Sequence, residues 1–230
     1  MPVPLERALS KLGLASRSQA RVMIHDGRVK VNGRVVTDVR TPVIPETARI
    51  TIDDAPTSGA QTNRQRQRQV IALHKPRGVV STTRDPEGRA TVFDVLKAAG
   101  VTTRLLAVGR LDLASTGLLL FTNDPQLANA LTDPERGVTR VYAVTVRGRV
   151  TPETAASLPA ARVEIRKASQ RETHLLVTLT QGKNREIRKM FDAVDHEVSR
   201  LHRVSFGPVT LGALQPGQWR DVTESFVRSS

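Results

Sequence analysis

From Leu105 to Asp124 the chain reads L-L-A-V-G-R-L-D-L-A-S-T-G-L-L-L-F-T-N-D, and this stretch constrains the fold more than any other. Leu105 to Val108 and Leu118 to Thr122 are continuous apolar runs bounded by turn residues, so each is expected as a short buried strand. The loop between them carries one acid, Asp112. Gly109 and Gly117 bracket that loop, and glycine tolerates unusual backbone angles and close approach by another backbone. A rigid scaffold presenting a single loop carboxylate is a common way to build an active site. A turn aspartate bonding its own backbone fits the spacing equally well. Asp124, between Asn123 and Pro125, reads instead as a helix N-cap with proline at the first helical position.

Around this stretch the apolar pattern predicts strands over residues 70–74, 105–108, 117–122, 140–147, 161–167, 175–180 and 198–206. Helices are expected over 92–99, 125–131, 152–158 and 185–194, the last capped by Asn184. The elements lack the regular spacing of a doubly wound βαβ fold. Many strands and few helices predict an α+β domain, residues 70–230, built on a mainly antiparallel sheet.

Residues 1–54 form a separate small unit. Leu5, Ala8, Leu9 and Leu12 recur at helical spacing and Gly13 ends that helix; Ser16 and Gln19 form a capping box for a second helix that Gly27 terminates. In R-V-K-V-N-G-R-V-V, valines alternate with cations and Asn32-Gly33 supplies a hairpin turn. Arg17 and Arg21 share a helix face. With Arg28, Lys30 and Arg34 they make a plausible phosphate cradle, although a solvated charged face explains any one of them. Residues 55–69, A-P-T-S-G-A-Q-T-N-R-Q-R-Q-R-Q, contain no acid and almost no large apolar side chain, so they read as a basic flexible tether in which Arg64, Arg66 and Arg68 are solvated.

The formal charge of +13 points to a polyanionic partner, nucleic acid before all others. The absence of cysteine excludes disulfides and thiolate metal sites, and the five histidines form no metal-binding pair, so no metal or other cofactor is expected. No apolar run is long enough to span a membrane and the N-terminus has no signal-peptide core; a cytosolic chain is expected. Oligomeric state leaves no trace in the sequence, and a monomer is the default.

G-R-L-D followed by S-T-G-L-L-L-F-T-N-D resembles the active-site signature of the pseudouridine synthases that modify ribosomal RNA, in the branch carrying an N-terminal RNA-binding domain. H-K-P-R-G resembles a second motif of that family, and R-D-P-E-G-R-A-T an insertion of its large-subunit members through which Arg84 and Arg89 would touch RNA. L-x-x-x-G-x-x-S-R-x-x-A and G-R-V-x-V-N-G resemble the RNA-binding domain named after the fourth small-subunit ribosomal protein, which implies RNA docking and says little about chemistry.

The resemblance implies that Asp112 is the nucleophile, with Arg110 beside it in contact with substrate. It implies that Tyr142 stacks on the target base, where period-two spacing with Arg140, Val144 and Val146 suggests only a core tyrosine. Arg188 would pair with Asp112 and keep it ionised, and Leu201 would line the uracil pocket. Arg17, Arg21, Arg28 and Lys30 would bind RNA. The implied reaction detaches uracil from ribose, turns it in the site and rejoins it through carbon five, without water, metal or redox cofactor. One carboxylate suffices for that, whereas hydrolytic glycosidases need a second to activate water. The nucleotide must be extruded first, at a cost of a few kcal/mol that RNA contacts offset. Within the family the C-terminal V-S-R-L-H-R-V-S-F-G-P-V-T-L-G resembles enzymes of 23S more than 16S RNA. A 16S or transfer RNA enzyme is the alternative within the family. A reading from another class is a catalytically silent ribosome-assembly protein, which would need no acid at position 112.

Overall fold

Helical spacing closes the N-terminal core: α1 (Leu5–Lys11) buries Leu5, Ala8 and Leu9, and α2 (Arg17–His25) supplies Ala20 and Ile24 to the same cluster. The computed structural model describes residues 2–12, 14–15, 17–57 and 68–226. These fall into two units, residues 1–68 with 124–126, and 69–123 with 127–230. The roles expected for Gly13, Ser16, Arg64 and Arg66 lie outside the described residues.

In the first unit β1 (Val3–Pro4) pairs with β4 (Pro42–Val43), and β2 (Val29–Val31), β3 (Arg34–Val35), β5 (Ile50–Ile52) and β6 (Ala55–Thr57) form a sheet in the order β3-β2-β5-β6. Asn32 and Gly33 both have positive φ, 50° and 83°, as a two-residue hairpin turn requires. Asp53 and Asp54 do the same at 52° and 60°, turning the chain back so that Thr57 pairs with Ile50. Ordered strand therefore runs three residues into the stretch expected as tether. Composition concealed it, because A-P-T has no large side chain and sits on a sheet edge, where proline is tolerated.

The second unit is built on nine strands among the described residues. They are β7 (Val70–Lys75), β8 (Leu106–Val108), β9 (Thr116–Thr122), β10 (Arg140–Arg147), β11 (Arg162–Ala168), β12 (Glu172–Leu179), β13 (Val198–Phe206), β14 (Val209–Thr210) and β15 (Trp219–Asp221). The order is β11-β12-β10-β13-β9-β7-β15, with β14 on β13 and β8 on β9. Every pairing is antiparallel except β13 with β9. The mainly antiparallel α+β architecture is thus present. The short β14 and β15, unexpected from the sequence, carry too few apolar residues to register as a period. Among the described residues four α-helices accompany the sheet, α3 (Val92–Ala98), α4 (Pro125–Thr132), α5 (Pro152–Ser157) and α6 (Glu186–Asp192).

The continuous apolar run of β9 has a simple cause. Leu119 and Phe121 enter one core with Leu73, Val144 and Phe191, while Leu118 and Leu120 enter a second with Val70, Phe206 and the Ala128 and Leu131 of α4. Successive side chains of a strand face opposite ways, so a strand between two cores has no polar face. β8 differs from expectation: it lies at the margin, and its Leu106 is exposed. At the parallel junction Gly117 pairs with Arg203. A Cβ on Gly117 would lie 2.3 Å from the Arg203 carbonyl oxygen, which explains glycine there.

Candidate active site

The loop bearing Asp112 joins β8 to β9 and is held through its backbone groups. Ser115 N–H donates to the Asp112 carbonyl at 3.0 Å, closing a tight turn. The segment following β7 grips this turn from outside. Ser81 Oγ donates to the Leu111 carbonyl at 2.8 Å and accepts from Leu111 N–H at 3.2 Å. Gly78 N–H donates to the Leu113 carbonyl at 2.9 Å. Lys75 Nζ donates to the carbonyls of Ser115 at 2.8 Å and Pro76 at 3.0 Å. The turn at Pro76 to Gly78, within H-K-P-R-G, thus serves to hold the acid loop, and Gly78 adopts the left-handed conformation with φ 80°.

Lys75 holds the acid loop, a role that the sequence reading did not give it although H-K-P-R-G contains it. Its signal was a cation closing V-I-A-L-H-K, a strand whose six residues are all buried. Burial pushes its pKa down to about 8, with the Asp112 charge opposing that shift. An unfolded lysine keeps its proton to the ordinary 10.5, so between about pH 8 and 10.5 the unfolded chain binds the additional proton. Stability from this group must rise with pH across that window. Wild type is expected to gain on Lys75→Met in urea denaturation between about pH 7.5 and 9.5; parallel pH responses would remove the assignment.

The Asp112 side chain is 39% exposed and lines a cavity of about 150 Å³. Its Oδ2 lies 3.8 Å from Arg185 Nη1 and 3.9 Å from Arg188 Nε. These are charge contacts, too long for hydrogen bonds. Arg188 is fixed by donating from Nη1 to the Val198 carbonyl at 2.8 Å. Burial lowers its pKa from the usual value; the Arg185 charge adds to this and Asp112 opposes it. Arg185 is the first residue inside the helix expected over 185–194. It is instead the helix N-cap, at φ 53°, and its guanidinium reaches Asp112. Asn184 is therefore not the cap. The Glu186 carboxylate closes this end by accepting from Lys183 N–H at 3.0 Å.

The cavity wall includes Tyr142, Ile187, Leu201 and Arg203, and Arg110 lines it with an exposed side chain. Tyr142 is 8% exposed, so it belongs to the core and to the cavity at once. Asp112, Tyr142, Leu201 and Arg110 thus converge on one cavity, with Arg188 beside the acid. Arg17, Arg21, Arg28 and Lys30 belong to the other unit, where Arg21 pairs with Glu6, Arg28 with Asp53 and Lys30 with Asp54. Asp124 Oδ1 accepts from Gln126 N–H at 2.9 Å, the geometry of a helix cap. The Arg89 guanidinium is tied to the Asp85 carboxylate by hydrogen bonds of 2.8 and 2.9 Å, its backbone N–H adds a third of 2.8 Å, and that contact holds the Asp85 pKa at about 2.

The Asp112 carboxylate lies beside two guanidinium groups, over a cavity walled by an aromatic ring and aliphatic side chains, and suits nucleophilic attack on an extruded base or its sugar; the other carboxylate on the wall, Glu186, is engaged by Lys183 N–H. A hydrolytic pair of carboxylates is not what this arrangement resembles. The family model described as RNA pseudouridylate synthase matches residues 69–193, and that of the S4 domain residues 3–47. The chain is 34% identical to an uncharacterized RNA pseudouridine synthase of Aquifex aeolicus, over 97% of this chain and 92% of that one. It is 40% identical to ribosomal large subunit pseudouridine synthase B of Salmonella typhi, over 96% and 80%. For the protein of the same name in Bacillus subtilis the identity is 33%, over 97% and 93%. A solved pseudouridylate synthase superposes with a TM-score of 0.62 at 26% identity, covering 97% of both chains. Motifs, sheet topology and these likenesses agree, and the chain belongs to the RNA pseudouridylate synthase family, with an S4 domain at its N-terminus.

Proposed function

We propose that this enzyme converts a specific uridine of large-subunit (23S) ribosomal RNA to pseudouridine, with Asp112 as nucleophile on a flipped-out nucleotide. The observation that carries this reading is the convergence of Asp112, Tyr142 and Leu201 on one small cavity with Arg188 beside the acid. Relatives named for the large subunit support the choice of RNA. Tyr142 stacks on the target base, an interaction of about 1–3 kcal/mol. Leu201 packs on the uracil, Arg188 sits beside the Asp112 carboxylate, and Arg110 binds the flanking backbone. The reaction breaks N1–C1′ and C5–H and forms C5–C1′ and N1–H, so nothing is consumed and no cofactor is required. The enzyme acts in the cytoplasm as a monomer, since one chain supplies every group named.

The S4 domain, residues 1–54, docks the RNA. Arg17 and Arg34 carry no ion pair among the described residues, whereas Arg21, Arg28 and Lys30 are each matched by a carboxylate. Changing Arg17 and Arg34 together to glutamine is expected to flatten the salt dependence of RNA binding by about 1.4–1.8 in log K against log salt. Changing the three paired cations should alter it less; the reverse ranking in filter binding would move the contact surface. The target is tested by mapping pseudouridines in ribosomal RNA with and without the gene. Loss of one large-subunit position is expected, and loss of a small-subunit or transfer RNA position would redirect the assignment.

A further inference from the structure

Two buried polar groups in the cavity wall have no partner among the described residues: Ser115 Oγ and Arg203 Nη2. Their residues are 1% and 2% exposed. Arg203 stands opposite Tyr142 in the antiparallel register of β13 and β10. Its Nε donates to the Leu118 carbonyl at 2.6 Å and its Nη1 reaches the Tyr142 hydroxyl at 3.5 Å. The guanidinium lies 5.1 Å from the Phe206 ring centre. No carboxylate among the described residues forms an ion pair with it. A guanidinium stays protonated wherever it is buried, and a buried charge without a counter-ion is costly. A cavity wall carrying such a charge is already organised for a negative one.

We propose that Arg203, with Ser115, forms an anion-stabilising floor that donates to the carbonyl oxygens of the target uracil and balances the charge its ring acquires during the reaction. This rests on the pseudouridine synthase reading above. A backbone phosphate is the poorer candidate, because exposed cations at the mouth, Arg110, Lys183 and Arg185, already serve it. The buried wall is instead Tyr142, Ile187 and Leu201, which suits a flat ring. Uracil enters neutral. When N1–C1′ breaks, its electron pair leaves on the ring and the charge spreads to O2 and O4. If Asp112 first adds to carbon six, the displaced π pair moves onto O4. By either route the oxygens become anionic only after binding, so a fixed cation beside them favours the intermediate over the bound substrate.

The test compares full-length wild type and Arg203→Met in single turnover on RNA carrying uridine or 5-fluorouridine at the target, reading consumption of the target nucleoside, free or enzyme-bound. Fluorine withdraws electrons and stabilises the ring anion by itself. Arg203→Met is expected to lose about 100–1,000-fold in rate on uridine, with RNA Kd within about threefold, and at least about tenfold less than that on 5-fluorouridine. Equal losses on both targets would mean that Arg203 only positions Tyr142 and would overturn the proposal, as would a loss residing wholly in Kd or no loss at all. Should Arg203→Met not fold, judged by circular dichroism, Ser115→Ala is expected to show the same dependence on fluorine at about a tenfold scale, and its absence overturns the proposal. Wild-type failure on uridine would strike the parent reading; the variant ratio strikes only this one.

Discussion

Asp112→Asn is expected to abolish tritium release from RNA labelled at carbon five of uridine, by at least about 10,000-fold, or about 5 kcal/mol of transition-state stabilisation. Asparagine matches aspartate in shape and lacks the anionic oxygen that attacks. The loop should keep its form, because what holds it runs through backbone groups of Leu111, Asp112, Leu113 and Ser115 to Ser81, Gly78 and Lys75. RNA affinity should stay within about threefold or tighten slightly, since Arg185 and Arg188 lose the neighbour that offsets their charge. Single-turnover tritium release and filter binding together read both quantities. A variant retaining a tenth of wild-type activity would sink the nucleophile. An inactive wild type would favour the silent RNA-binding protein.

The second large effect is structural. Gly117→Ala is expected to destabilise the catalytic domain by at least about 3 kcal/mol. The added Cβ would lie 2.3 Å from the Arg203 carbonyl oxygen and 2.6 Å from its nitrogen. Both are backbone atoms of the facing strand and cannot swing aside as a side chain does. Gly117 also has φ 103°, a conformation an alanine resists. The parallel contact between β9 and β13 must therefore open, and it borders both the acid loop and Arg203. Gly78→Ala is the control: φ is 80° but nothing lies within 4 Å of its Cβ, so a cost of about 1 kcal/mol is expected. Urea denaturation measures the pair, and similar values for both would show that the close approach is not what requires glycine at Gly117.

Several features were legible because they depend on neighbours along the chain. The limits of β10 and β13 follow from apolar runs ended by glycine or charge, the Asn32-Gly33 turn from two residues that accept positive φ, and the Asp124 cap from its place before Pro125. Other features depend on who stands opposite. Asn184 and Arg185 are both reasonable ways to begin α6, and only the fold puts Arg185 in the left-handed position facing Asp112. Lys75 looks like an ordinary surface cation until the strand before it proves buried on both faces. Tyr142 is a core residue by period, and the cavity it lines exists only once β13 lies beside β10.

By itself the sequence determined two modules, an RNA-directed charge, a mainly antiparallel sheet and a lone acid on a glycine-bracketed loop. These follow from periodicity, turn chemistry and net charge, which act over a few residues or over the whole composition. Tertiary structure alone decided which cations meet the acid, which lysine locks its loop, and that Ser115 Oγ and Arg203 Nη2, in residues of the cavity wall, have no partner among the described residues. Those groups lie tens of residues apart in the chain, and a buried charge acquires its meaning only from what packing places within a few ångströms of it.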